Sequence, residues 1–194
     1  EDALKKVAAE NPDRVFAIID TVVDLPNVSS VVFREHEASY LMGAAAGLAT
    51  KTNKVGIVAA MDIPLLKKWT VGFQEGLKAT NPNAEVFVNY VGSFNDPAKA
   101  KELALLQANK GADFVYGAAA VGDLGVFEAA KEKGFYTSGQ DVDRTGIDPE
   151  HIVLSQLKGT DTAAYETVKA FVNGSLKPGV QTYGLKEDGV GVTY

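Results

Sequence analysis

The residues best equipped for chemistry in this sequence fall where short apolar runs end. Asp20 follows "VFAII", Met61 and Asp62 follow "VGIVAA", Ser93 and Phe94 follow "VFVNYVG", and Val121 to Asp123 follow "VYGAAA". Asp141 and Asp143 follow "YTSGQ", and Lys158 follows "IVLSQL". Carboxylates accept paired hydrogen bonds from vicinal hydroxyls, an aromatic face stacks a flat ring or a sugar, and a lysine donates to a carbonyl or ring nitrogen. Together these types suit a polar, ring-bearing solute. A local account competes at each position, because Asp, Asn, Gly and Ser also collect at strand ends as turn and cap residues. Trp69, four residues before Phe73 on a helical pattern, reads either as core or as an aromatic turned toward a solute.

Other chemistries fail on spacing. Asp141, Asp143 and Asp148 form D-x-D-x4-D, and Gly146 falls sixth from Asp141, but the twelfth position holds Ile152 where a calcium loop needs a bidentate Glu. His36 and His151 stand in no zinc-binding pattern and read as surface or packing residues. G-x-S-x-G is missing, and no strand-end serine has an evident base, so no catalytic residue is assigned. Gly117, Gly122 and Gly125 do not match the dinucleotide fingerprint, and there is no Walker A motif. "VGDLG" is therefore either a helix N-terminus that receives a polar ligand group or a tight strand-to-helix turn. No metal and no cofactor is expected. In "YTSGQDVD", Asp141 is placed for ligand contact, while Asp143 reads as a turn or hinge-side acid.

These positions need elements to hold them. "KVGIVAA" (strand) precedes "PLLKKWTVGFQEGLKATN" (helix, with Pro64 in its first turn). "AEVFVNYV" precedes a helix with Asp96 as N-cap, Pro97 at its first position and Gly111 as C-cap. "ADFVYGAAA" precedes "LGVFEAAKEKG", closed by Gly134, and "FYTSGQ", "HIVLSQL" and the helix "DTAAYETVKAFVNG" follow. Strands alternating with helices of this length imply right-handed crossovers and a parallel sheet covered on both faces, hence an α/β fold. In such sheets ligands bind outside the carboxyl ends of the strands, which is where the residues above lie.

The front is thinner: an opening helix, the strands "VFAIID" and "VSSVVFRE", and the small-residue helix "EASYLMGAAAGLATK". Two strands are few for an independent sheet. The expected division is 1–53 as the remainder of a first lobe whose earlier strands lie upstream, 54–157 as a complete second lobe, and 158–194 as a crossover helix and strand returning toward the first.

Composition narrows the function classes. Of 194 residues 46% are hydrophobic, a globular profile, and the net charge of −6 gives nucleic-acid phosphates no basic surface to meet. The absence of cysteine rules out disulfides and thiolate chemistry. No apolar run approaches the ~20 residues of a membrane span.

The order of "E-x-x-Y-L-x-G", "Y-x-G-S-F-x-D" and "L-G-V-x-E-A-A-K-E", with "GQDVDR", "VLSQLKG" and "GLKEDGVGV" behind them, resembles the basic membrane protein (Bmp) or PnrA-like substrate-binding lipoproteins of ABC transporters. The resemblance runs the full length of the chain. It implies a two-lobed type I periplasmic-binding-protein fold, with parallel sheets, that closes over a purine nucleoside or related solute in an interlobe cleft, outside the cytoplasmic membrane. In the full-length protein a lipid anchor and ABC permease partners are implied. Carried over, "GSF" makes Phe94 a base-stacking aromatic, "GQD" makes Asp141 a ribose acceptor, and "LKG" makes Lys158 a donor near the ligand. Asp62, Trp69 and Asp20 are added from "MDIPLLKKW" and "FAIID". The chain departs from the family at Ala119 to Asp123, where many relatives carry a glycine-rich turn; side chains and an extra acid there narrow the pocket or alter its selectivity. Two alternatives remain: a ligand-sensing receptor or regulatory domain with the same fold, and an enzyme on a doubly wound sheet.

Overall fold

The structure, a computed structural model, describes residues 1–193. In chain order the elements are α1 (Asp2–Glu10), β1 (Phe16–Ile19), β2 (Val28–Phe33), α2 (Glu35–Ala49), β3 (Lys54–Ala59), α3 (Pro64–Thr80) and β4 (Glu85–Tyr90). Then come α4 (Pro97–Asn109), β5 (Phe114–Ala118), α5 (Asp123–Lys133), β6 (Tyr136–Asp141), β7 (Ile152–Lys158), α6 (Thr160–Val172), β8 (Gly179–Tyr183) and β9 (Val190–Val192). The expected alternation from Lys54 onward is present, and so are the caps at Asp96 and Gly134. Asp96 Oδ1 accepts the Lys99 N–H at 2.9 Å with Pro97 next in line, and Gly134 ends α5 in the left-handed conformation. Gly111 lies one residue beyond its expected place, since Lys110 caps α4.

The chain divides into two compact units, one of Glu1–Arg34 with Lys158–Val190 and the other of Glu35–Leu157 with residues 191–193. The expected boundary near residue 53 is therefore displaced to Arg34/Glu35. Its cause is the packing of α2 on α3. A Cβ on Gly43 would stand 1.9 Å from the Phe73 carbonyl oxygen, and one on Gly76 would stand 1.9 Å from that of Tyr40. Backbones this close require glycine, and they tie α2 to the helix that follows β3 rather than to the strands before it.

The larger unit carries a sheet in the order β4-β3-β5-β6-β7-β9. The ladders between β4 and β3, β3 and β5, β5 and β6, and β6 and β7 are all parallel. One face buries Met42, Ile57, Leu66, Trp69, Phe73 and Tyr116; the other buries Val58, Leu103, Val115, Val126 and Phe135. Helices α2 and α3 cover the first face, and α4 and α5 the second. Burial on both sides is why β3 and β5 read as continuous apolar runs. Along the sheet the chain steps from β3 to β4 in one direction and from β5 to β6 in the other. Strand order therefore reverses between β3 and β5, which in an open α/β sheet marks the crevice where ligands bind.

The smaller unit has a parallel sheet of order β1-β2-β8 with α1 packed beside it through Ala8, Val23 and Val28. The tail divides in a way the sequence did not suggest. β8 joins the three-stranded sheet, but β9 joins the six-stranded one, anchored by the Thr193 N–H on the Ser155 carbonyl at 2.8 Å. Among the described residues no helix is long and apolar enough to cross a membrane.

Candidate functional site

Each unit gathers polar groups at the carboxyl ends of its strands. In the smaller unit Asp20 follows β1 and Lys158 ends β7, and the two meet with Lys158 Nζ 2.6 Å from Asp20 Oδ1. The lysine side chain is buried, and its ammonium also lies 5.0 Å from the centre of the Phe33 ring. A charge held this far from water needs its counter-ion. Asp20 is thus first of all the partner of Lys158, with part of its carboxylate still open to solvent.

In the larger unit Phe94 sits on the loop after β4, and its side chain is exposed, 41% of the residue's surface being open to water. Packing gives no reason for an aromatic there, and an open ring face is what stacking on a flat solute requires. Asp62, after β3, is exposed and 3.5 Å from Lys67 Nζ, a surface pair of little energetic weight. Trp69 departs from the solute-facing role assigned to it. It is 6% exposed and packs with Leu66, Phe73 and Tyr116, because its place one turn into α3 turns it onto the sheet. Asp143 takes the turn role. Its Oδ1 accepts the Thr145 N–H at 3.0 Å and the Thr145 hydroxyl at 2.7 Å, and these bonds hold its carboxyl below the ordinary range.

Asp141 ends β6 and lines a pocket of about 290 Å³ together with Ala120, Asp123, Phe127, Gln140 and Arg144. The backbone around this pocket is unusual. Asp141 has φ 67° and Ala120 φ 57°, and in the other unit Asp20 has φ 71°. Asp tolerates the left-handed region better than most residues, but Ala does so at a cost, and strained backbone of this kind collects at functional sites. Ala120 opens the 3-10 turn Ala120–Gly122 that delivers the chain into α5.

Asp123 is the residue whose position the sequence left open. It begins α5, is 4% exposed, and its Oδ1 accepts the Ala119 N–H at 2.8 Å. A Cβ on Gly117 would come within 2.7 Å of that same oxygen, so the glycine on β5 makes room for the acid. Burial, with the Asp141 carboxylate adding to it, raises its pKa to about 7 against the pull of the Ala119 bond and of the Arg144 charge. Behind it, the Tyr116 hydroxyl donates to Gln156 Oε1 at 2.6 Å in a buried cluster with Ser39. Burial pushes that phenol well above its usual pKa.

His151, expected as a surface or packing residue, hydrogen-bonds Asp148 at 2.9 Å, and with Glu150 they bring one ligand atom each within 4.8 Å of the others. Nothing further at that turn marks an ion site.

The model of the family described as "ABC transporter substrate-binding protein PnrA-like" matches residues 1–194. The chain belongs to this family. Similarity to individual PnrA-like proteins agrees: the chain is 32% identical over 209 residues to the ABC transporter nucleoside-binding protein BmpA of Lactococcus lactis subsp. cremoris, covering 98% of this chain and 60% of that one. Among solved structures, an ABC transporter solute-binding protein from Aeropyrum pernix matches with TM-score 0.92 and 33% identity, over 100% of this chain and 57% of its own. A transcriptional activator of the comK gene from Bacillus halodurans matches with TM-score 0.90 at 27% identity, over 100% of this chain and 67% of its own. The chain spans between 50% and 61% of the length of the curated relatives to which it is similar. The two-lobed α/β class expected from the motifs is that of the PnrA-like solute-binding proteins. Asp20, Phe94, Asp141 and Lys158 were singled out by position at a strand end. Asp123 carried the same signal, but its burial depends on Gly117 and on the turn before α5, which only the folded chain shows.

Proposed function

We propose that this chain acts as the solute-binding part of an ABC importer, outside the cytoplasmic membrane, and that its solute is a purine nucleoside or a closely related molecule. The observation that carries this reading is the pairing, on one carboxyl edge of one sheet, of an exposed aromatic ring at Phe94 with an acid-lined pocket at Asp141. β4 and β6 are three strand spacings apart in the order β4-β3-β5-β6, or about 14 Å. A solute that uses both must extend across the strand ends with a flat ring at one end and hydroxyls at the other, as a nucleoside does. Asp62 is a further acceptor beside β3, and within the smaller unit the Lys158–Asp20 pair offers a donor and an acceptor of its own. The naming of one relative as nucleoside-binding agrees with this assignment. The chain is read as a binder rather than an enzyme because its family is one of substrate-binding proteins. Permease subunits are the expected protein partners, and a lipid anchor the expected tether of the full-length protein.

Calorimetry with adenosine, guanosine and inosine tests the reading. Saturable binding is expected, weakened by about 1 to 3 kcal/mol in Phe94→Ala, the scale of base–aromatic stacking. Binding of nucleosides undiminished by Phe94→Ala would return that ring to a surface role. A second reading, a ligand-sensing domain of a regulator, is favoured by the likeness to the comK activator; it shares the solute and differs in the partner.

A further inference from the structure

The pocket at the end of β5 and β6 is richer in acceptors than the assignment of Asp141 requires. Asp123 and Asp141 both line it. Gln140, 5% exposed, lines it as well; its amide nitrogen donates to the Gly117 carbonyl and to Ser138 Oγ, and its Oε1, buried, has no hydrogen-bond partner. A buried acceptor without a donor is costly and calls for one. The Asp123 carboxyl has spent one oxygen on the Ala119 N–H, and Gly117 is the residue that allows it to lie here at all. Arg144 lines the same pocket, with its Nε 3.5 Å from the Gln140 carbonyl oxygen. A pocket of acceptors alone would suit an ammonium group, but a guanidinium at its wall repels one. Hydroxyls fit both, since each donates to a carboxylate and accepts from an arginine. The volume, about 290 Å³, is at the small end for ligand sites and suits one sugar-sized portion of a solute.

We propose that Asp123 is a specificity-determining residue of the solute site, a second carboxylate that takes a hydroxyl of the solute's sugar moiety beside the one at Asp141. This rests on the nucleoside reading above and adds to it a selection for neutral, polyhydroxylated groups. It also couples binding to a proton. The groups facing Asp123 are Asp141 and Arg144 from the end of β6, Tyr116 from β5 and the Ala119 N–H; on α4, packed against α5, Lys101 is held by Glu128 and Glu132. With its pKa near 7, Asp123 is partly protonated in the empty pocket, and a solute hydroxyl donating to it favours the ionised form. Binding then releases a proton, and affinity rises with pH, by about tenfold between pH 6 and 8 for one such group.

The test is calorimetry of the chain with guanosine and with ribose at pH 6, 7 and 8, in buffers of different ionisation enthalpy, on the wild type and on Asp123→Asn. The expected result is proton release at pH 6 to 7, an affinity that climbs about tenfold over the range, and a flat profile in Asp123→Asn. Proton exchange is read on the wild type, so the inference does not depend on the variant folding. Nucleoside binding without proton release, or with the same pH slope in Asp123→Asn, would overturn the role of Asp123 and leave the nucleoside reading standing. Ribose binding with proton release but no binding of any nucleoside would do the reverse. Absence of binding by both ligands would overturn both.

Discussion

The two units cover their sheets to very different degrees. In the larger one, β3 and β5 are buried almost end to end, with helices on both faces. In the smaller one, β8 is mostly exposed, β1 is only half-buried, and α6 turns Tyr165, Val168, Phe171 and Val172 to solvent. Parallel sheets are stable when both faces are covered, so the larger unit has the complete architecture and the smaller one does not. The difference teaches where rigidity lies: the acid pocket stands on the covered sheet, and the Lys158–Asp20 pair on the open one. Hydroxyl-selecting contacts need fixed geometry, whereas a buried ion pair brings its own partner wherever it sits.

Equivalent substitutions in the two units sharpen the contrast. Phe73→Ala removes a ring stacked 4.4 Å from Tyr116 in the middle of the larger core, and urea unfolding is expected to show a loss of about 3–5 kcal/mol. Asp123→Asn comes next, through pH. The raised pKa means the native state holds a proton that the unfolded chain has given up. The wild type's stability from this group is therefore full below about pH 4 and is lost as pH rises toward about 7, on the order of 4 kcal/mol in all. Unfolding free energies of wild type and variant, measured from pH 4 to 8, should diverge in that window and run parallel above it. In the smaller unit Asp20→Ala removes an acidic partner of the Lys158 ammonium and should cost about 1–2 kcal/mol, less than a fully buried pair because Asp20 is partly exposed. Smallest is Phe171→Ser on α6, expected to change stability by less than about 0.5 kcal/mol. Equal losses for Phe73→Ala and Phe171→Ser would erase the distinction between the units.

Much of the larger unit was legible in the sequence because its signals are local. Apolar runs give the strands, and Asp96, Pro97 and Gly134 punctuate the helices where the folded chain does. The placement of α2 was not legible in the same way: its partner α3 lies beyond an intervening strand, so proximity in sequence pointed to the wrong neighbour. The paired spacings Gly43/Gly47 and Gly72/Gly76 were the available clue, since small residues four apart on two helices permit close backbone approach. β9 escaped because three residues show no periodicity. At the site, Asp141 and Phe94 followed from strand-end position, while the seating of Trp69 in the core and of Asp123 behind Gly117 are products of tertiary packing.

The central claim is that the solute is held at the carboxyl ends of the strands, with the Phe94 loop and the Asp141 pocket as its main contacts in the larger unit. Hydrogen–deuterium exchange of the chain with and without saturating guanosine tests it most directly. The expected result is added protection at the loop around Phe94, at Ala119 to Leu124 and at Gln140 to Arg144, with the opposite strand ends around Lys54 and Asp113 unchanged. Binding of guanosine with protection confined to those opposite ends, or with none at the Phe94 and Asp141 segments, would contradict the account.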